Sequence, residues 1–523
     1  MKNHPLNIIK LTLLTFVLLF GYSCSKDTDL IADYVVETPN TILANSIVTT
    51  LSNNPIVIDP LKDEVVVVPE NVIITEVTPP TLGTAVVNDD NTITYTPDED
   101  KSGTDEFDYT ATVTNPDNST TTATGNVTVN VGEAEKTQPD DTTGYVNFST
   151  FGAVGDGKAD DTKALQAALD AEGSLVADEG AIFRITGTLN INKPGDQTID
   201  FNGAIVTAST KVSQAFNIAK PNGITNLLNL DVEGKRNIAS AFFVRSQINA
   251  TNVNVEKLYG SNSRSVAWRV EVSSNTASQG EYNFTDCDCT DVESLKNDKI
   301  GDMQGVSRCL WLRWLDTSSK TTVNVNGGIW DGAWGDDGDL IQVEQTTNDY
   351  IHDCKLIVTG TELKNFSRRA VKGTAANMEF YNVTFTSPLP SNPRLTSKVP
   401  SSGMATMSIF NITNYPNSTS RNHVFSGCTF NNPGGYEGRL IPSRAEHITV
   451  ENCVFNPGTS IALNIRVGDM DICNNTFEEN SSIYAYGSGG VKYIGEINIG
   501  SNNIAPSGFN KLPSGVWNEV SCQ

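Results

Sequence analysis

Two runs of the chain carry its densest mixture of acids and bases. One is Trp334-Gly335-Asp336-Asp337-Gly338-Asp339 leading to Glu344, and the other is Ser367-Arg368-Arg369-Ala370-Val371-Lys372. Residues of these types can eliminate across a uronate glycoside. The sugar carboxylate must be neutralised, a base must take the C5 proton, and the leaving oxygen needs a donor. Arg369, or a calcium ion held by Asp337, Asp339 and Glu344, would neutralise, since calcium favours several carboxylate oxygens. Lys372 would be the base and Arg313 the donor. A lysine serves as base only when its pKa is lowered, and neighbouring arginines push that way. The same acidic pair could instead serve hydrolysis, which needs two carboxylates flanking the bond. A third possibility is that the chain binds or presents a glycan and cuts nothing.

These residues need a scaffold that stacks them. Arg264-Ser265-Val266-Ala267-Trp268-Arg269 aligns with Arg308-Cys309-Leu310-Trp311-Leu312-Arg313, with Asp339-Leu340-Ile341-Gln342-Val343-Glu344, with Arg369-Ala370-Val371-Lys372-Gly373-Thr374 and with Arg439-Leu440-Ile441-Pro442-Ser443-Arg444. Alternate residues of a strand face opposite sides. With Leu310, Leu312, Ile341, Val343 and Val371 inward, the outward ridge carries Arg269, Trp311, Arg313, Gln342, Glu344, Lys372, Arg444 and Arg466. Coils stacked roughly 4.8 Å apart turn that ridge into a basic stripe. Arg269, Trp311, Trp334, Arg368, Arg444 and Arg466 are therefore the candidate contacts to an acidic polysaccharide, with Trp314 and Trp330 flanking. The competing expectation is that these arginines pair with nearby Asp and Glu as surface ladders.

A second phrase recurs as Phe380-Tyr381-Asn382-Val383-Thr384-Phe385, Phe425-Ser426-Gly427-Cys428-Thr429-Phe430, Val450-Glu451-Asn452-Cys453-Val454-Phe455 and Cys473-Asn474-Asn475-Thr476-Phe477. The last three phenylalanines lie 25 and 22 residues apart, after an interval of 45 that fits two coils or one coil with an insertion. Such periods define a solenoid. They put Cys428 and Cys453 at equivalent interior positions, as free thiols. Residues 275–304 and 388–422 break the spacing and read as insertions; insertions border the binding face of a solenoid, so Arg394, Lys398 and Tyr436 are expected within reach of the substrate.

The run Phe151-Gly152-Ala153-Val154-Gly155-Asp156-Gly157-Lys158-Ala159-Asp160-Asp161-Thr162-Lys163-Ala164-Leu165-Gln166-Ala167-Ala168-Leu169 makes a glycine turn followed by a helix. Asp160 or Asp161 can cap that helix, and Leu165, Ala168 and Leu169 share one face. The run resembles the entry segment of the pectate-lyase superfamily, shared by polygalacturonases, alginate epimerases and phage tailspikes. The resemblance implies a right-handed parallel β-helix closed at one end by the helix. In residue types, the Lys and Arg pair beside a calcium site is similar to β-helical alginate lyases. Gly335-Asp336-Asp337 resembles part of a polygalacturonase site, although the Gly-His-Gly segment of that family is missing. The four histidines, at 4, 352, 423 and 447, have no ligand spacing.

Upstream, Glu64-Val65-Val66-Val67-Val68, Thr84-Ala85-Val86-Val87, Thr92-Ile93-Thr94-Tyr95 and Phe107-Asp108-Tyr109-Thr110 alternate with turn residues, the pattern of an antiparallel sandwich. Residues 83–109 resemble the cadherin-like, immunoglobulin-type repeats of bacterial surface proteins. At the start, Lys2, Lys10 and the apolar run 11–20 form an export signal too short to span a bilayer. Gly21-Tyr22-Ser23-Cys24 resembles a lipobox, implying lipidation of Cys24, and Ser25-Lys26-Asp27 resembles a Bacteroidetes surface-export tag. The expected organisation is a signal peptide at 1–23, a tether at 24–50, a sandwich at 51–133, a linker at 134–144 and the β-helix at 145–523. The fold class is thus all-β, for a monomer anchored by lipid at the outer-membrane surface. A formal net charge of -25 excludes nucleic acid as a partner, because phosphate binding needs clustered basic charge.

Overall fold

The structure is a computed structural model. It describes residues 46–51, 55–61, 72–98, 101–114, 119–132 and 144–522, the last stretch without 262–263, 274–278, 296–304, 316–319, 346–353, 375–376, 390, 393–407, 410–419, 434–437, 443–444, 464–468, 486–495 and 506–516. The chain divides into two compact units, Met1–Asp141 and Thr142–Gln523.

In the first unit, alternating valine, threonine and tyrosine runs pair into a sheet of strands Ser46–Leu51, Thr120–Gly132, Gly103–Thr114 and Val72–Val77, and a second of Ile56–Ile58, Ile93–Pro97 and Gly83–Val87. All pairings are antiparallel except that of Ser46–Leu51, which runs parallel to Thr120–Gly132. That first strand lies in the stretch expected to be tether. Ile93, Tyr95, Phe107, Tyr109, Val127 and Val129 form the core. Asp105 is buried there, and its carboxylate accepts from the Thr81 and Leu82 amides, the Thr81 hydroxyl and the Tyr95 hydroxyl.

The second unit is a right-handed parallel β-helix. Its strands form a parallel sheet of 24 strands, a second of seven and a third of four. Inward residues stack coil on coil. Phe216, Phe242 and Trp268 lie 5.1 and 3.9 Å apart, ring centre to ring centre. Further along, Phe385, Phe430, Phe455 and Phe477 follow at 4.9, 4.6 and 4.6 Å. Phe385 and Phe430 are direct partners, so the 45-residue interval is one coil with an insertion. Residues 280–295, within the stretch read as an insertion, are part of the coils: strands Gly280–Thr285 and Cys289–Leu295 belong to one coil and both pair with Ile248–Glu256 of the coil before, the turns there being longer than the repeat suggested. Cys428 and Cys453 are buried free thiols in contact.

One turn of each coil sits in the left-handed region, with φ of 52° at Asn252, 47° at Asp286, 68° at Gly327, 63° at Gly360, 54° at Asn382 and 64° at Gly427. Asn, Asp and Gly tolerate that conformation where other residues strain. At Gly427 a Cβ would strike the Asn382 amide oxygen of the coil before.

The helix Thr162–Leu169 buries Leu165, Ala168 and Leu169. Its Gln166 side chain accepts from the Asn190 amide and donates to the Asn190 carbonyl, so it satisfies the free edge of strand Leu189–Ile191. A covered edge cannot recruit another strand. Of the two candidate caps, Asp160 is the one that serves. Asp160 takes the Thr162 N–H, whereas Asp161 holds the glycine turn through the Val154 N–H at 2.7 Å. At the other end, a Cys473–Cys522 disulfide ties down the last strand, Asn518–Val520.

Candidate functional site

The seven-stranded sheet runs Leu189–Ile191, Phe216–Ile218, Ser240–Val244, Arg264–Val272, Val306–Trp314, Asp337–Gln345 and Arg369–Thr374. Its apolar alternation turns Leu310, Leu312, Ile341 and Val343 into the core. The opposite parity brings Asn217, Phe243, Arg269, Trp311, Gln342 and Lys372 into one row across successive coils. Two residues further along lies the row Glu271, Arg313, Glu344 and Thr374.

The first of two charged clusters is built on Phe243 and Trp311. The guanidiniums of Arg264, Arg269 and Arg313 stand 4.5, 5.4 and 5.3 Å from the Trp311 ring centre. Arg245 and Arg269 stand 4.7 and 4.5 Å from that of Phe243. A guanidinium over an aromatic face is attracted by the ring quadrupole. Glu271 pairs with Arg269 at 2.5 Å and Arg313 at 2.6 Å, and Glu344 reaches Arg313 at 3.4 Å and the Trp311 Nε1 at 2.9 Å. Burial raises the Glu271 pKa, but the hydrogen bonds from Arg269 and Arg313 win and hold it below the ordinary glutamate value. Among the described residues four arginines, 245, 264, 269 and 313, thus meet two carboxylates, an excess of two positive charges.

The second cluster arises where alternation fails. Ser307, Arg308, Cys309 and Leu310 are all buried, and Cys309 and Leu310 both enter the core. The strand turns a corner there, which frees Arg308, Asp339 and Arg369, stacked on adjacent coils, to meet side chain to side chain. Asp339 is fully buried. Arg369 Nε lies 2.7 Å from its Oδ1, and Arg308 lies 3.2 Å and Lys372 3.9 Å from its Oδ2. Asp337 pairs with Arg308 at 2.6 Å, with Lys372 at 2.9 Å and with Arg369. Arg308 also donates to Gln342 at 2.6 Å and to the Ser307 and Asp337 carbonyls. Burial works against the Asp337 anion, yet Arg308, Arg369 and Lys372 hold its carboxyl well below the usual range. Burial pulls the Lys372 pKa down, against the pull of Asp339.

The expected site residues fall into these clusters unevenly. Lys372, Arg369 and Asp337 come together, while Arg313 makes its ion pairs in the other cluster, with Glu271 and Glu344. The calcium set does not assemble. Asp337 and Asp339 are filled by three cations and Glu344 by Arg313 and Trp311, so the cations that satisfy these oxygens also repel a metal ion. Among the described residues no three His, Cys, Asp or Glu side chains are placed to hold one. Trp334, expected at the surface, is buried, as are Trp314 and Trp330; Trp311 alone of the four faces outward. Arg368 sits on the exposed turn, bound to Asp336. Arg444, Arg466 and Cys24, and the loop residues Arg394, Lys398 and Tyr436, lie outside the described residues. Phe243, Arg245, Glu271 and Arg308 were not among the expected residues. The signal for Arg308 was present as a charged residue before two consecutive apolar ones, in Arg308-Cys309-Leu310, Asp339-Leu340-Ile341 and Arg369-Ala370-Val371.

Comparison with known proteins identifies a class for one part of the chain. The family model of the bacterial Ig domain matches residues 36–130, the sandwich and the stretch just before it. The β-helix is similar in structure to a Streptococcus pneumoniae surface protein and adhesin, PfbA, at 11% identity and a TM-score of 0.38, over 65% of this chain and 99% of that one. The chain is also similar to the catalytic domain of a GH87 alpha-1,3-glucanase in complex with tetrasaccharides, at 13% identity and a TM-score of 0.36, over 79% of this chain and 75% of that one. Likenesses this distant say nothing of what the present chain binds. No curated protein matches the sequence.

Proposed function

We propose that this protein binds an acidic polysaccharide along the outer face of the seven-stranded sheet and cleaves it by β-elimination, displayed at the cell surface by lipid on Cys24. One observation carries the reading. On a chain of net charge -25, Arg245, Arg264, Arg269 and Arg313 gather around two outward aromatic rings with too few carboxylates to neutralise them. Guanidiniums meet carboxylates or sulfates, and flat rings meet sugar faces. Because the rows cross successive coils, the polymer would run along the solenoid axis.

The same rows end at Lys372. In elimination Lys372 takes the C5 proton, the C–H electron pair becomes the C4=C5 double bond, and the C4–O bond breaks as its oxygen takes a proton from solvent water. Burial favours neutral lysine, which supports that role. Asp337, the most exposed acid of its cluster, stands where a uronate carboxylate would compete for Arg369 and Lys372. Hydrolysis has less support: of the Asp336 and Asp337 pair it would use, Asp337 is held by Arg308, Arg369 and Lys372 and Asp336 by Arg368, and the Gly-His-Gly segment that would accompany them is missing.

The test is incubation of the purified chain with alginate, pectate, ulvan and carrageenan while the ultraviolet absorbance of an unsaturated uronate is followed. New absorbance, lost in Lys372→Ala, is the expected result. Reducing ends without absorbance would replace elimination by hydrolysis, and gel retardation without either would leave binding alone. Normal turnover by Lys372→Ala, checked for folding by circular dichroism, would remove Lys372 from the mechanism.

A further inference from the structure

The first coils of the β-helix hold a second polar site, lined by no residue of either arginine cluster. Strands Leu189–Ile191 and Phe216–Ile218 are consecutive partners, and Lys193 and Lys220 follow them where the chain leaves the sheet. Lys220 is 2% exposed. Its Nζ donates to the Gly195 carbonyl at 2.8 Å, and it forms no ion pair with a described carboxylate. A buried ammonium has three donors and a charge to compensate, and leaving either unmet is costly. Burial, and then the nearby Lys193 charge, push its pKa down to about 8 against the pull of Asp196.

Gln197 is 5% exposed, its Nε2 reaches the Gly173 carbonyl at 3.5 Å, and its Oε1 has no partner. An orphaned buried acceptor calls for a donor. Lys220 and Gln197 line one cavity of about 190 Å³ with Glu172, Gly173, Lys193 and Asp196. By volume that is room for roughly six waters, more than a single ion needs. The acids beside it are engaged. Glu172 lies 3.7 Å from Lys193, and Asp196 accepts the Ile224 N–H at 2.8 Å.

We propose that this cavity binds a small hydroxycarboxylate of single-sugar size, its carboxylate on Lys220 Nζ and a hydroxyl donating to Gln197 Oε1. A simple carboxylate leaves Gln197 without its donor, and a neutral sugar leaves Lys220 without its anion. A hydroxy acid answers both. Free sugar acids and the uronate end of a polymer share this chemistry.

Calorimetric titration of the full chain with D-galacturonate, glucose and acetate tests the proposal. Galacturonate should bind about tenfold more tightly than either of the others, the value of one charge-assisted hydrogen bond. Lys220→Met, close in shape, should lose that affinity, and Gln197→Leu should erase the preference over acetate. Trp311→Ala disrupts the arginine rows and should leave galacturonate binding here intact, so failure of the surface stripe and failure of the cavity are told apart. Trigalacturonate in place of the monomer separates the two sources: weaker binding assigns the cavity to free acids, equal or tighter binding to chain ends. Equal affinity for glucose, or undiminished galacturonate binding by folded Lys220→Met, would overturn the proposal. Should that variant not fold, the Lys220 ammonium resonance of the unaltered chain must shift on adding galacturonate, and a resonance that stays still overturns it equally.

Discussion

The two charged clusters of the seven-stranded sheet draw on the same residue types, arginines against acids on neighbouring coils, and differ in where the strand turns. Around Trp311 the alternation holds, the guanidiniums stack over rings at a partly open face, and positive charge is left over. Around Asp339 the strand corner folds Arg308, Arg369 and Lys372 back onto two carboxylates, and most of that charge is enclosed. Enclosure makes the Arg308–Asp339 pair structural, because an ion removed from water must be met by its partner at close range, while Asp337 keeps the Lys372 side of the cluster partly open. Exposure leaves charge available to a ligand and worth little to the fold. The largest expected effect follows directly. Asp339→Ala strands Arg308 and Arg369 in the interior and should cost about 3–5 kcal/mol in denaturant unfolding. A loss under about 1 kcal/mol, the range of exposed pairs, would break the contrast.

The next effect sharpens the contrast by acid titration. His423 is wholly buried with neither ring nitrogen hydrogen-bonded to a side chain, and burial pushes its pKa down to about 4. A histidine depressed on folding is uncharged in the native state. Its contribution is therefore complete above the unfolded value near 6.5 and is lost as pH falls from there toward 4, by about 3 kcal/mol. Asp337, held well below the ordinary range by its cations, stays ionised in the native state, and its contribution begins to fall only as pH drops below about 5 toward the unfolded aspartate value. Stability measured from pH 7 to 5, above the range where depressed carboxylates such as Glu271 and Asp337 begin to lose theirs, should thus fall in the native chain and stay level in His423→Leu. If the slope survives that substitution, the Asp339 cluster is titrating, and its enclosure is weaker than the geometry indicates.

The contrast also explains how much the sequence disclosed. The entry motif, the Phe, Asn and Cys phrase and the outward row Arg269, Trp311, Gln342 and Lys372 were legible, because a two-residue alternation and a coil repeat are local patterns. The clusters themselves were not. Strict alternation puts Arg308, Asp339 and Arg369 on the same side as Leu310, Ile341 and Val371, and only the corner reverses them. Trp334 failed for the same reason, being counted as surface by its neighbours while the turn buries it. The strands of residues 275–304 were missed because turn length varies freely between coils while strand register does not.

A binding measurement addresses the exposed cluster alone. Trp311→Ala removes the ring that three guanidiniums share, at roughly 0.5–1.4 kcal/mol for partly exposed cation–π contacts, so retention on a polyuronate affinity gel should weaken by up to about tenfold. Its unfolding midpoint should move far less than that of Asp339→Ala. A collapse in stability with binding intact would reverse the roles assigned to the two clusters.

The smallest effect is the sharpest discriminator, since it differs in sign. Glu271→Gln takes one negative charge from among Arg269 and Arg313 and keeps the side-chain shape. In a cluster whose surplus charge meets an anionic polymer, this loosens the competition for the guanidiniums and should strengthen retention about two- to threefold at low salt, an effect that fades as salt screens it. Removing Asp339 offers no such gain, because it is fully buried against Arg308 and Arg369 and its loss leaves those guanidiniums without their partner in the interior. Retention that falls in Glu271→Gln would mean that Glu271 holds the arginines in their binding geometry, and that the exposed cluster, like the buried one, is a closed ion-pair ladder.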